Sequence, residues 1–449
     1  MKLCTRQTVP RYDHPDSIGF LDSEFDALYN GAVMTENPRP TSARQRLEEA
    51  INCIADPSKE GMKACLTVYS LGAQCEAEEA DKRVGVHRGP LDGTLISIKD
   101  LFDIAGEVTR AGSRVLSDEG RPATADALVI ARLRAAGAVI VAKTNMSEYA
   151  FSGVGLNPHF GTPGNPVDRK RVPGGSTSGG AVAVADGMCE IAIGTDTGGS
   201  TRIPAALCGI VGWKPSKQRI LTLGTFPLST TFDSIGVMAR TVAECAGADA
   251  VMSGESLYPL KPAALGGLKL GIPQGLPLTQ LDDAVTRAFM DGIKCLDRAG
   301  AIVSEETFPQ FDAMLEVANM GGIVPAEAFA LHRECLARHK ANIDPNVAVR
   351  IERGGQISAT DYTRMLERRQ YLVRDMDSRL IGLDALVLPT TAIVAPTFAQ
   401  VSTPEGFSAH NALLLRNTSL GNFFNLCAIS LPLPVGTALP VGLLSLIHI

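Results

Sequence analysis

Residues 173–216 read P-G-G-S-T-S-G-G-A-V-A-V-A-D-G-M-C-E-I-A-I-G-T-D-T-G-G-S-T-R-I-P-A-A-L-C-G-I-V-G-W-K-P-S. Two Gly/Ser/Thr loops, residues 174–180 and 194–201, flank an apolar segment. Glycine lets backbone approach a ligand closely and admits positive φ, so each loop can offer bare N–H groups and a hydroxyl to a small polar group. Between the loops, residues 181–185 predict a short buried helix and residues 189–193 a strand bounded by Gly187 and Gly194. That core segment draws the two loops together.

Working outward, the same alternation of buried strand and amphipathic helix recurs. Leu47, Ala50, Ile51 and Ile54 mark a helix, residues 64–69 a strand, and residues 76–83 a charged helix. Residues 94–98 predict a strand with Lys99 at its end, beside Asp100. Thr124 is the expected cap of a helix carrying Leu128, Val129 and Leu133, ahead of a strand over 138–143 that ends in Lys143. A lysine closing an apolar strand ordinarily snorkels to the surface, so position alone singles out neither. Helices over 240–252, around Val285 to Leu296, and from Tyr362 to Leu380 alternate with strands over 268–272, 301–304 and 384–388, and residues 309–355 read as mostly helical. This rhythm predicts an α/β fold: one large domain, residues 41–449, whose mixed twisted sheet is covered by helices on both faces. Residues 1–40, with Pro10, Pro15, Pro38 and Pro40, read as an N-terminal arm. The apolar tail over 431–449 is broken by Pro432, Pro434, Gly436, Pro440 and Gly442, so strands and turns are expected there rather than a membrane span.

With 449 residues, 45% of them hydrophobic, the chain can bury a large core. A net charge of −6 argues against the basic face that nucleic-acid binding needs. Ten cysteines occur without a C-x-x-C pair or clustered histidines, so no metal site is expected, and scattered thiols suit the cytoplasm. The first residues, M-K-L-C-T-R-Q-T-V-P-R, lack the apolar run of a signal peptide.

The loops fail several familiar tests. Gly174 and Gly179 have P-loop spacing, but Gly180 stands where the lysine belongs. Gly153-Val154-Gly155-Leu156-Asn157 runs into Pro158, not the third glycine of a dinucleotide fingerprint. Neither Ser176 nor Ser200 sits in G-x-S-x-G, and the seven histidines lie outside both loops. A serine nucleophile would then need another base, and a lysine serves if burial leaves it neutral near pH 7. The consecutive N–H groups of Thr197, Gly198, Gly199 and Ser200 are suited to a developing oxyanion. Spacing does not say which lysine would be the base.

The whole of 173–216 closely resembles the amidase signature family, whose members hydrolyse carboxamides with a Ser-Ser-Lys triad. The likeness lies in G-G-S-T-S-G-G, G-T-D-T-G-G-S-T-R-I-P-A-A and C-G-I-V-G-W-K-P-S. It extends to G-P-L-D-G-T-L-I-S-I-K-D, A-G-A-V-I-V-A-K-T-N-M-S-E, D-A-L-V-L-P-T and N-L-C-A-I-S-L-P, from about residue 85 nearly to the end. The resemblance implies Ser200 as nucleophile, Ser176 as bridging serine after a cis Gly175–Ser176 bond, and Lys99 as base. It implies an oxyanion hole at Thr197, Gly198, Gly199 and Ser200, with Asp196 and Arg202 bracing the loop and Ser178 as a supporting hydroxyl or helix cap.

The implied activity is that of a stand-alone amidase acting on a small-molecule amide, cytoplasmic, with no metal, organic cofactor, nucleic acid or membrane partner, and with a homodimer among the expectations. An alternative is the glutaminase (A) subunit of a glutamyl-tRNA(Gln) amidotransferase, and a third is a non-catalytic binding protein on the same fold. Residues 309–380 and 396–420, outside the signature, are expected to carry specificity. One departure from the family is the end of the chain: relatives continue beyond L-P-V-G-L-L-S-L-I-H-I into a further strand and helix, so an uncovered sheet edge or apolar surface is expected there.

Overall fold

The runs L-I-S-I-K, V-I-V-A-K-T, I-A-I-G-T and I-G-V-M-A leave no residue for solvent, and in the computed structural model each is a strand buried along its whole length. The structure describes residues 42–83, 89–256, 260–434 and 438–448; the arm expected over 1–40 and His87 lie outside the described residues. One sheet contains β1 (Cys65–Val68), β2 (Leu95–Lys99), β3 (Val139–Thr144), β4 (Ile191–Thr195), β5 (Val211–Lys214), β6 (Ile235–Ala239), β7 (Lys269–Pro273), β8 (Ile302–Glu306), β9 (Ala385–Pro389), β10 (Cys427–Pro432) and β11 (Gly442–Ile447). Their order is β1-β3-β2-β4-β6-β5-β10-β11-β9-β7-β8. β3-β2-β4 and β9-β7-β8 run parallel and the remaining pairs antiparallel, so the sheet is mixed.

Full burial follows from cover on both faces. Leu95, Val139, Val141 and Ala192 point to one side, where they meet α1 (Ala43–Ala55). Ile96, Ile98, Ile140, Ile191 and Ile193 point to the other. This two-residue period is the strand geometry itself. Helix α2 (Leu128–Ala135) starts later than expected: Thr124 does not cap it, because Pro122 and Ala123 are held in bridges to Val108 and Ala105. Helix α3 (Ser178–Ala185) has nearly every residue buried, and α4 (Arg202–Cys208) ends at Gly209 in the left-handed region. Helix α5 (Val242–Ser253) begins with a reciprocal Thr241–Glu244 capping box.

The segment expected to be helical supplies α6 (Pro309–Asn319), α7 (Ile323–His339) and α8 (Pro345–Gly354), then α9 (Ala359–Arg379). Helix α10 (Pro404–Phe423), opened by Thr403 at the cap and Pro404 in the first turn, was not anticipated. The expected uncovered edge at the end of the chain does not fall on β11, which is paired on both sides, with β10 and with β9; the sheet edges are β1 and β8.

Candidate active site

β2 delivers Lys99 to the middle of the molecule. The side chain is fully buried, and its Nζ donates to Ser176 Oγ at 2.7 Å and to Thr195 Oγ1 at 3.0 Å. Burial lowers its pKa from the ordinary 10.5 to about 7, against the opposing pull of Asp233 and Asp196. Lys143, the second lysine that the sequence places near a strand end, lies beside Ile98 in the register, so it leaves β3 on the opposite face. There its Nζ pairs with Glu107 Oε2 at 3.3 Å.

Ser176 follows a cis Gly175–Ser176 peptide and is fully buried. A Cβ on Gly175 would lie 2.7 Å from Gly155 Cα, so only glycine fits that approach. Ser200 is joined to the same turn through the Thr177 N–H, which donates to its carbonyl at 3.3 Å. No hydrogen bond joins the Ser176 and Ser200 hydroxyls among the described residues. A relay between them requires the closure that catalytic contacts commonly undergo when substrate binds.

Ser200, only 4% exposed, lies in the wall of a cavity of about 340 Å³. Thr197 and Gly198 line the same cavity. The four consecutive N–H groups from Thr197 to Ser200 find no intramolecular acceptor among the described residues, although buried backbone donors are almost always paired. Gly199, at φ +136°, has no room for a side chain: a Cβ would stand 2.1 Å from Thr418 Oγ1. Thr418 Oγ1 in turn donates to the Gly198 carbonyl at 2.7 Å. The loop is therefore clamped from α10, with its N–H side left open.

Asp196 and Arg202 form a fully buried pair below this loop. Arg202 Nη2 and Nε donate to the two carboxylate oxygens at 2.7 and 3.0 Å, and Asn422 Nδ2 donates at 2.9 Å. Burial alone would raise the Asp196 carboxyl, but the Arg202 guanidinium and these hydrogen bonds hold it well below the usual carboxylate range. Arg202 Nη1 also donates to the Thr418 carbonyl at 2.9 Å, tying the pair to α10. Ser178 is not drawn to the lysine and serine hydroxyls. It is the first residue of α3, its Oγ makes a long 3.5 Å contact to the Asn145 carbonyl, and the helix has no side-chain cap.

The sequence reading missed three participants. Thr195 stands in the quoted stretch, but as a loop residue; it belongs to β4, paired with Ile235, which fixes its hydroxyl against Lys99. Asp233 accepts from Thr197 Oγ1 at 2.6 Å and from the Leu228 and Ser229 N–H groups at 2.8 and 3.0 Å, anchoring the start of the 197–200 loop. Arg350, from α8, enters the cavity wall. The segments expected to carry specificity contribute Met314, Val317, Ile323 and Leu415 to that wall.

The family model described as Amidase matches residues 49–445. The 2-amino-5-chloromuconic acid deaminase of Comamonas testosteroni is 33% identical over 80% of this chain and 78% of its own length. The A subunit of the glutamyl-tRNA(Gln) amidotransferase from Symbiobacterium thermophilum is 33% identical over 90% of this chain and 89% of its own. The indoleacetamide hydrolase of Pseudomonas savastanoi is 32% identical over 79% of each. Among solved structures, a crystal structure of an amidase superposes with a TM-score of 0.80 at 31% identity, covering 96% of this chain and 95% of that one.

Proposed function

The chain belongs to the amidase family, and within that family of amide-hydrolysing enzymes we propose that it cleaves a carboxamide C–N bond through an acyl-enzyme on Ser200. The observation that carries this reading is the fully buried Lys99 amine 2.7 Å from the Ser176 hydroxyl. A lysine titrating near 7 is in good part neutral at physiological pH and can accept a proton. In the proposed sequence the Ser176 proton passes to Lys99 as the Ser200 proton passes to Ser176. Ser200 Oγ then bonds to the amide carbon. The oxyanion is received by the open N–H groups between Thr197 and Ser200. When the C–N bond breaks, the relay returns its proton to the leaving nitrogen, and ammonia or an amine departs. Water, deprotonated by the same relay, hydrolyses the ester to a carboxylate and restores Ser200.

A fluorophosphonate probe tests the nucleophile: mass spectrometry should find the adduct on Ser200, and folded protein left unlabelled there would sink the acyl-enzyme reading. Lys99→Ala should abolish ammonia release while leaving the fold intact. A second reading, the glutaminase component of an amidotransferase, is supported by the likeness to the Symbiobacterium thermophilum protein over 90% of the chain. Glutamine hydrolysis that appears only with added partner subunits would favour it.

A further inference from the structure

The segment over residues 226–233 joins two parts of the site. Leu228 and Phe232 stand in the cavity wall, and Asp233 accepts from Thr197 Oγ1. Ser229, between them, is fully buried, and its N–H donates to Asp233 Oδ2 at 3.0 Å. The segment lies between β5 and β6 and has no helix or strand of its own. Whatever holds it therefore also holds the first residue of the 197–200 loop.

Helix α7 does so at two points. His332 Nε2 donates to the Pro227 carbonyl at 3.1 Å, and its ring stacks on Phe226 with centroids 5.2 Å apart. Just over one turn earlier, Glu327 accepts from the Ser229 and Thr231 hydroxyls and, at 3.0 Å, from the Thr231 N–H. Tyr362 OH, from α9, donates to Glu327 Oε1 at 2.8 Å.

Packing alone does not call for a carboxylate here. Glu327 is only 5% exposed, and no lysine or arginine pairs with it among the described residues. A buried charge is costly unless it is answered. Burial would raise its pKa, but the Ser229 and Thr231 hydroxyls, the Thr231 N–H and the Tyr362 hydroxyl hold it below the ordinary carboxylate value, so it is ionised at neutral pH. Asp196 is answered by the Arg202 guanidinium, whereas Glu327 is answered mainly by the segment it grips. An acceptor that takes several donors from one loop fixes that loop's atoms against one another.

The same helix begins at the cavity. Ile323, Val324 and Pro325 line it, and Ile323 lies about one turn before Glu327 on the same face. Thus α7 meets the contents of the cavity at its start and grips the 226–233 segment further along.

We infer that Glu327 is a positioning residue for turnover: it touches no reacting atom, and through Ser229 and Asp233 it sets where Thr197 places the N–H groups beside Ser200. The inference rests on the amidase reading above and gives a role to a residue that the reading does not use.

The rate at which a fluorophosphonate modifies Ser200 tests this without a natural substrate, because phosphonylation calls on the same relay and the same donors. Time courses over a range of probe concentrations, followed by mass spectrometry on folded protein, separate the limiting rate from the half-saturating concentration. Glu327→Ala should lower the limiting rate about tenfold or more, as misplacement of groups around a reacting atom does, and change the half-saturating concentration by less than about threefold. Glu327→Gln keeps an acceptor for the Thr231 N–H and can donate to the neighbouring hydroxyl oxygens, so it should recover most of the rate. Thr197→Val cuts the same link at its far end, so the double variant with Glu327→Ala should be little slower than the slower single variant. A Glu327→Ala rate within about twofold of wild type, or a double variant in which the two losses multiply, would overturn the inference. So would Glu327→Gln as slow as Glu327→Ala. A Glu327 that only supports the fold would lower the melting temperature of Glu327→Ala and leave the limiting rate of the folded protein unchanged. If Glu327→Ala does not fold, Ser229→Ala decides: it removes the hydroxyl that Glu327 grips, keeps the N–H to Asp233, and should slow labelling by about threefold or more, an unchanged rate overturning the inference. Wild-type protein that takes no adduct on Ser200 would remove the amidase reading and the inference with it, whereas labelled wild type with an unchanged Glu327→Ala rate removes the inference alone.

Discussion

Lys99 and Lys214 experience nearly the same burial and differ in what they can do with it. Each closes a strand, β2 and β5, and the two are at most 1% exposed. Burial brings each from 10.5 to about 7, aided at Lys214 by the positive charge of Arg202. Lys214 Nζ donates to the carbonyls of Pro215 and Leu426, at 2.7 and 3.0 Å. Lys99 Nζ donates to two hydroxyls. A carbonyl only accepts, whereas a hydroxyl can also release a proton to the amine beside it. Desolvation lowers both amines alike; in the proposed mechanism the partner decides whether the amine serves as a base or as a tie between strands.

Paired substitutions put this contrast at risk. Lys99→Met should reduce kcat by about 10²- to 10⁴-fold, the usual worth of general acid–base catalysis, with the melting temperature little changed. Lys214→Met should do the opposite. It leaves two buried carbonyls without their donor, at about 1–3 kcal/mol each, so the melting temperature should drop while the folded fraction keeps turnover within a few-fold of wild type. Ammonia release and a thermal melt on both variants check it. Equal losses of kcat at unchanged melting temperature would erase the distinction.

A smaller effect sharpens the Lys99 side. Below pH 7 Lys99 is increasingly protonated, so kcat/KM should fall about tenfold per pH unit, with an apparent pKa near the 7 set by burial. Thr195 Oγ1 accepts from Nζ, and an ammonium donates more strongly than an amine. Removing that acceptor in Thr195→Val should therefore destabilise the protonated form, moving the acid limb to lower pH with only a few-fold loss at the optimum. A limb that moves upward, or stays in place, would mean that Thr195 does not hold the lysine. Lys214→Met should leave the limb where it is.

How far the sequence shows all this depends on whether a feature is local. β3, β7 and β9 each centre on local apolar residues and were legible within a residue or two. β4 extends through Gly194 and Thr195 because those residues pair with Gly236 and Ile235, partners some 40 residues away in the chain. Helix α10 was obscured because Asn411, Asn417 and Asn422 face inward and break the apolar stripe. Only its Thr403-Pro404-Glu405 start was available as a signal. The two serine loops could be read as a donor nest, but Lys99 comes to them through sheet register and was identified by resemblance alone. Asp233 and Arg350 act through segments whose placement near the loops is a property of the fold.

The least conspicuous consequence concerns stability and tests both lysines together. In the unfolded chain each lysine titrates near its ordinary 10.5, and in the folded protein near 7. Below pH 7 both states hold the protons, and above 10.5 neither does. Between these limits the unfolded state binds more protons, so unfolding free energy rises with pH, by up to about 1.4 kcal/mol per pH unit for each lysine. The folded state therefore loses this contribution as pH falls through 7. Other buried groups, such as the Cys245 thiol, which burial pushes up so that it stays protonated where an unfolded thiol ionises, add their own pH dependence in this range, so the comparison must be between variant and wild type. Denaturant unfolding at pH 7.5, 8.5 and 9.5 should give a slope reduced by about 1.4 kcal/mol per pH unit in Lys99→Met, and by the same amount in Lys214→Met. Equal reductions would show that burial acts alike on the two amines, leaving their hydrogen-bond partners as the sole source of the difference in chemistry. A reduction at Lys214 without one at Lys99 would mean that Asp233 and Asp196 keep Lys99 charged, and the proposed relay would lose its base.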